Sequence, residues 1–292
     1  MKFSFVSLIT KFTLATSVAG ALVGCDDPTY PTPTPVTESS VGRTQVLVVN
    51  AAPGSQGITT TFENQPFGVL TPYLGSPVST YTSANAGLRL FVFDEPLNIP
   101  ANPANFPTVG TPPVAAPPVN TSPIPLLSRA SYAGGLNYTV FLTDPPRRAF
   151  IFPVTPTSDR GGIRTLTLLD NLAAPTVATN AKIRLVNLSP SGTYGIFNTT
   201  TVAAGVSLFT AAPFRAYRGL TSGTGSALVT FADFTEVAAG SYTLDARSAA
   251  TTALTGTRLP VTLAAGKIYT LYVRGIAGNT TTPLGISVVT HN

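Results

Sequence analysis

One imidazole, at His291, and one thiol, at Cys25, are the only such groups in the 292 residues. Hydrolysis by a Ser-His-Asp arrangement needs a base held beside a nucleophile. A histidine next to the chain end is expected to sit at a frayed, mobile position; His291 reads more simply as the counterpart of Asp170 at the end of a last strand. Paired carboxylates would suit glycosidic bond cleavage, but the acids are scattered. The adjacent pair Asp94-Glu95 points to opposite faces if its strand persists, and Asp233 with Glu236 reads as two solvated loop acids. Calcium would need several oxygen ligands at short spacing, and no Asp-x-Asp-x-Asp loop is written in the chain. Gly161-Gly162 and Gly223-Thr224-Gly225 read as turn glycines, since neither carries the Gly-Lys-Ser/Thr element of a phosphate loop. Arg147-Arg148, after Pro145-Pro146, reads as a solvated turn. No catalytic, cofactor-binding or metal-ligating set is therefore expected, and no enzyme.

Cys25 is different, because of what precedes it. Lys2 and Lys11 are followed by an uncharged run over 12–24, and Leu22-Val23-Gly24-Cys25 places an aliphatic residue three before the cysteine and a small residue at the cleavage position. This order resembles a bacterial lipoprotein signal, which implies cleavage before Cys25 and a diacylglyceryl thioether on its sulfur, palmitate-type chains included. The apolar run is far shorter than the roughly 20 residues that span a bilayer. Each buried acyl CH₂ contributes about 0.8 kcal/mol, and two or three chains anchor stably. With its only cysteine lipidated, the mature body has no thiol left for a disulfide, a metal site or a nucleophile. Asp26 and Asp27 follow at once and read as a sorting signal, for inner-membrane retention or for surface export, with ordinary solvated tether residues as the third reading; the outer membrane is preferred. The expected location is the cell envelope, lipid-anchored on the outer membrane, with the surface and the periplasmic face both open.

Composition narrows the partners. The formal net charge is only +5 and the positive side chains are dispersed arginines, with no basic run interleaved with aromatics, so nucleic acid is not an expected partner. Charged residues make up 10% of the chain, against about 25% in an average soluble domain. Thr, Ser, Gly and Pro fill their place, which suits exported β modules and disfavours helices.

Four segments recur in the same order along the chain. Residues 46–53 (VLVVNAAP) match 183–190 (IRLVNLSP); 86–94 (AGLRLFVFD) answer 239–245 (AGSYTLD); 135–141 (GLNYTVF) answer 266–272 (GKIYTLY); and 163–171 answer 284–292, both ending on Asn. Short Val/Leu/Ile/Thr/Tyr runs between Gly, Pro, Asn and Ser turns, several alternating in the manner of half-buried strands, predict about seven strands per copy. The expected fold is all-β: two tandem immunoglobulin-like antiparallel β-sandwich domains produced by internal duplication. The boundaries expected are 1–24 for the signal peptide, 25–42 for the lipidated cysteine and proline-rich tether, 43–172 for the first sandwich and 181–292 for the second. A proline-crowded insertion near 95–125 reads as a solvated polyproline loop, with a partner-contact loop carrying Phe106 as the competing reading.

The segments IRLVNLSP, AAGSYTLDAR and LAAGKIYTLYVRG resemble the domain-of-unknown-function family numbered 4397, β-sandwich modules of envelope lipoproteins common in Bacteroidetes. The acids that often follow its Asn-x-Ser-Pro are missing from 191–196 here. The resemblance implies fold and compartment and supplies no catalytic residues. The expected function is a non-catalytic envelope or surface lipoprotein acting in adhesion, assembly or as an accessory to another envelope protein. The alternative is a glycan or polymer binding protein of an outer-membrane uptake system. Trp is absent, so stacking would fall to Tyr73, Tyr81, Tyr194, Tyr217 and Phe214.

Overall fold

A computed structural model describes residues 42–70, 72–73, 80–99, 123–149, 161–218, 234–248 and 257–292. Cys25, Asp26 and Asp27, the signal and tether, Phe106 with most of the proline-rich insertion, Gly223-Thr224-Gly225 and Asp233 lie outside the described residues.

All regular elements among the described residues are strands. The first copy comprises β1 (Arg43–Asn50), β2 (Ile58–Phe62), β3 (Gln65–Leu70), β4 (Thr82–Asn85), β5 (Gly87–Asp94), β6 (Leu126–Tyr132), β7 (Asn137–Thr143) and β8 (Arg164–Asp170). The second comprises β9 (Asn180–Asn187), β10 (Tyr194–Asn198), β11 (Val206–Ala212), β12 (Tyr217–Arg218), β13 (Thr235–Ala238), β14 (Gly240–Ser248), β15 (Leu259–Leu263), β16 (Ile268–Arg274) and β17 (Gly285–Thr290). Eight and nine strands thus stand where about seven per copy were expected.

Each copy builds two sheets on one plan. The outer sheets run β3-β2-β5-β6 and β11-β10-β14-β15; the inner ones run β4-β1-β7-β8 and β12-β9-β16-β17, with β13 also on β9. The halves are the duplicated sandwiches read from the sequence, with one departure: β1 pairs β7, and β9 pairs β16, in parallel. The chain leaves the inner sheet to form β5 and β6 (β14 and β15 in the second copy), and returns beside the first strand heading the same way. A crossover of that kind makes a parallel pair.

Burial shows why the strands read as they do. In β2, Ile58, Thr60 and Phe62 face inward while Thr59 and Thr61 do not, the period-two pattern of a sheet covered on one side. In β16 every residue from Ile268 to Val273 is buried, and in β7 every residue after Asn137. Strands like these must be covered on both faces. The two inner sheets cover one another, through a third core made of Leu47, Val49, Phe141 and Leu168 from one half and Val186, Leu188, Tyr272 and Val289 from the other. Phe141 and Tyr272, equivalent positions in the two copies, meet with ring centroids 5.7 Å apart. The body is a four-layer stack with three cores, and the central one joins like faces, as an isologous interface does.

The stretch between β8 and β9 is docked as well. The Glu236 carboxylate accepts from Thr176 through backbone N–H and hydroxyl, from Val177 N–H and from Asn180 Nδ2, and these bonds, Thr176 foremost, lower its pKa to about 2. Lys182 Nζ donates to Ala173 O at 2.7 Å.

Because the halves share a core, one cooperative transition is expected in scanning calorimetry of the body. Phe141→Ala, at the centre of the shared core, is expected to cost about 3–5 kcal/mol in urea unfolding; two separated transitions would show that the halves unfold independently.

Candidate functional site

Titratable and hydroxyl side chains gather at one edge of the central core. Strand register explains who meets there. Asn137 faces Asp170 across β7 and β8, and the matching position in the second copy is His291, whose N–H bonds Ile268 O. Thr139 and Thr270 occupy matching places on β7 and β16, beside Leu47 and Arg184 respectively. Tyr81 and Phe234 each precede a strand that pairs with the first strand of its copy, at Thr82–Val46 and Thr235–Ile183.

These residues form a closed hydrogen-bonded ring. Arg184, fully buried, donates from Nη2 to Asp170 Oδ1 at 2.6 Å and from Nε to Thr270 Oγ1 at 2.8 Å. Tyr81 Oη stands 2.7 Å from Asp170 Oδ2 and 2.8 Å from His291 Nδ1, and Thr270 Oγ1 is 2.7 Å from His291 Nε2. Thr139 Oγ1 donates to Asp170 Oδ2 at 2.6 Å. Counting donors fixes the protons. A carboxylate only accepts, so Tyr81 gives Asp170 its one proton. His291 then donates from Nδ1 to the Tyr81 oxygen and accepts the Thr270 proton at Nε2. Arg184 starts the circuit on Thr270 and closes it on Asp170. Its Nη1 is buried with no hydrogen-bond partner among the described residues, and its Cζ lies 4.4 Å from the Phe234 ring centroid, a cation–π contact that offsets part of the loss.

Electrostatics agree with this assignment. Burial first, and then the nearby Arg184 charge, lower the His291 pKa to about 2. A cationic imidazole would bring a second donor to a Thr270 oxygen already taken by Arg184. Burial and the adjacent Asp170 charge raise the Tyr81 phenol well above its usual range. The ring holds a neutral histidine, a protonated tyrosine and one ion pair.

The opposite end of the β7–β8 ladder carries a second cluster. Asp144, buried and in the left-handed region at φ 67°, accepts from Arg164 Nε and Nη2, both at 3.0 Å, and from Thr143 Oγ1 at 2.7 Å. Arg148 approaches it at 3.3 Å. Arg215 reaches over from the second half, donating to Thr143 Oγ1 at 2.6 Å and to Thr165 O, with Asp144 3.6 Å away. A third cluster sets Asp245 between Arg247 and Arg258, each at 3.1 Å, on the outer face of β14.

His291 is therefore not at a frayed end. It is 6% exposed, held by Tyr81 and Thr270 and packed against the Phe234 ring at 5.5 Å between centroids. Asp94 is exposed while Glu95 is buried, where its carboxylate accepts from Gln56 and Leu97 N–H; burial raises the Glu95 pKa against those bonds. Arg148 is held by Asp144 and by Gly162 O, whereas Arg147 faces solvent. Among the aromatics weighed for stacking, Tyr194 is core, Tyr81 belongs to the ring, Phe214 lies under Arg164 and Tyr73 lies beside Arg274; the Tyr217 side chain lies outside the described residues. Those placed form no coplanar exposed row. Arg184 was not singled out from sequence, although one signal was present: an arginine inside an apolar strand where the matched strand has Leu47.

No family model matches the chain, and no curated protein matches it. Among solved structures it is similar to a crystal structure from Bacteroides uniformis ATCC 8492 described as a "putative cell adhesion protein", at 12% identity, over 86% of this chain and 99% of that one, with a TM-score of 0.20. A likeness at that score carries no argument about this chain.

Two outcomes test the ring. Arg184→Leu, which leaves Asp170 buried without its cation, is expected to cost about 3–5 kcal/mol in chemical denaturation, and adding Asp170→Leu is expected to recover part of that. The unfolded chain protonates His291 near pH 6.5, whereas the folded ring refuses the proton down to about pH 2. Stability from this group is full above pH 6.5 and falls as pH drops below it, by up to about 1.4 kcal/mol per pH unit. His291→Gln is expected to show a shallower acid slope in denaturation measured across pH 7 to about 4; equal slopes would remove His291 from the account.

Proposed function

We propose that this chain is a lipid-anchored, non-catalytic envelope protein whose body serves as a rigid adhesion, assembly or accessory module. The observation that carries the reading is the fate of Tyr81, His291 and Asp170. They are the set that most resembles acid–base machinery, and every proton on them is committed to a neighbour inside the stack. General acid–base catalysis needs a group free to exchange its proton with a substrate. A closed, buried ring instead fixes two sheets in register.

The lipoprotein-like motif at Cys25 supports anchoring through acyl chains, and Asp26 with Asp27 supports sorting to the outer membrane and its surface. The segments resembling the family numbered 4397 support the same setting. A proline-rich tether followed by a body whose halves share a core would hold one stiff block off the membrane.

The test is made in cells. Palmitate labelling is expected for the full chain and lost in Cys25→Ala, which should move to the soluble fraction. Protease added to intact cells is expected to degrade the body, and a pull-down through the body to recover an envelope protein. Labelling that persists in Cys25→Ala would sink the anchor, and a body that protease reaches only after the envelope is broken would sink the surface placement.

A further inference from the structure

The outer sheets end on four edge strands, β3 and β6 in the first half and β11 and β15 in the second. An exposed strand edge invites pairing by another chain, and folds commonly close it with proline, bulges or charge. Three of the four are interrupted in this way. Pro66 and a register shift break β3, two register shifts break the β10–β11 pair, and Pro260 stands inside β15. β6 has neither device: its seven residues contain no proline and pair with β5 in unbroken register.

The register shows which backbone groups of β6 are turned outward. Glu63 N–H donates to Leu90 O, and Leu90 N–H donates to the Glu63 carboxylate, so Leu90 turns its backbone toward the β2 side. Arg129, opposite Leu90 on β6, is therefore in a non-hydrogen-bonded pair and turns its own N–H and C=O away from β5. Leu127 and Ser131 do the same by alternation. No described residue bonds these groups, and all three residues are exposed, Leu127 by 64%.

The side chains on this edge depart from the second half at every matched position. Val92 and Leu127 form an apolar cross-strand pair where the other half has Asp245 and Arg258 as an ion pair. Leu88 and Leu90 stand in place of Ser241 and Thr243, and Arg129 in place of Pro260, whose missing N–H closes the β15 edge. Arg129 has no ion pair or hydrogen bond among the described residues. An uncompensated cation beside an apolar pair selects the complement: a carboxylate flanked on the same face by aliphatic side chains.

We infer that β6 accepts an extended segment of a partner protein as a further strand, with an acidic side chain opposite Arg129 and an aliphatic one opposite Leu127. The inference deepens the reading of the body as an assembly module and rests on that part of it, not on the anchor.

The probe is a labelled, end-blocked peptide, TVTETVT, titrated into the full chain in detergent and followed by fluorescence anisotropy. Saturable binding is expected, with amide exchange slowed within Leu126–Tyr132, and the lysine-centred peptide TVTKTVT should bind severalfold more weakly. Arg129→Glu is expected to reverse that preference. Arg129→Pro, which copies the second half, is expected to abolish binding of both peptides while circular dichroism shows the chain still folded. Equal binding of the two peptides, binding that survives Arg129→Pro, or exchange slowed on other strands instead would overturn the proposal. So would a peptide-free dimer in sedimentation that Arg129→Pro breaks, since the edge would then belong to a second copy. If the peptide fails while the body still recovers an envelope protein equally with and without Arg129→Pro, the β6 edge is overturned and the assembly reading stands.

Discussion

The ion pair between Arg184 and Asp170 is buried between two sheets, and the central layers depend on its being complete. Moving a guanidinium and a carboxylate out of water costs several kcal/mol per ion, and their attraction compensates only where geometry is good and the remaining lone pairs and protons are met. Asp170 therefore needs Tyr81 and Thr139 as well as Arg184, and Arg184 needs Thr270 and the face of Phe234. Tyr81 then needs a donor to its oxygen, which His291 provides. Each satisfied group recruits the next until the circuit closes, so a small sliding of one sheet on the other would open several bonds at once.

Apolar contact supplies the attraction between the inner sheets, but such contact is tolerant of register. Phe141 on Tyr272 and Val49 near Val186 would still be buried after a shift along the strands. Directional bonds at both ends of the β7–β8 ladder remove that freedom: the ring holds the Asp170 end, and Arg215 reaching Thr143 and Asp144 holds the other. Burial gives the stack its stability, and the two polar ends give it a single arrangement.

The strands and the duplication were legible because they rest on local periodicity and on matched segments. IRLVNLSP and VLVVNAAP fall on β9 and β1 and the turns after them, as their likeness required. What stayed hidden was the face-to-face joining of the copies. A strand buried on both sides, such as β16, gives an unbroken apolar run that also fits a simple sandwich core, so the run alone does not reveal a second covering sheet. The ring was hidden for a related reason: its members are far apart in the chain, and only strand register brings Tyr81 to His291. Position near the chain end made His291 look mobile, yet a terminal strand that docks in a core is as fixed as any other.

Duplication by itself would not have made this interface workable. A two-fold arrangement of identical copies would set residue 170 of one copy against its own equivalent in the other: two first halves bring two carboxylates and no arginine to this centre, and two second halves bring two arginines and no carboxylate. Two buried carboxylates cannot both stay ionised so close together, and two neutral imidazoles leave the arginines without a counter-ion. Divergence at three matched pairs resolves the conflict: Asp170 against His291, Leu47 against Arg184 and Tyr81 against Phe234, with Thr139 and Thr270 alone unchanged. One copy contributes the anion and the phenol, and the other the cation, its aromatic cover and the neutral base. A symmetric scaffold thereby holds an asymmetric centre that neither copy could assemble with its own duplicate.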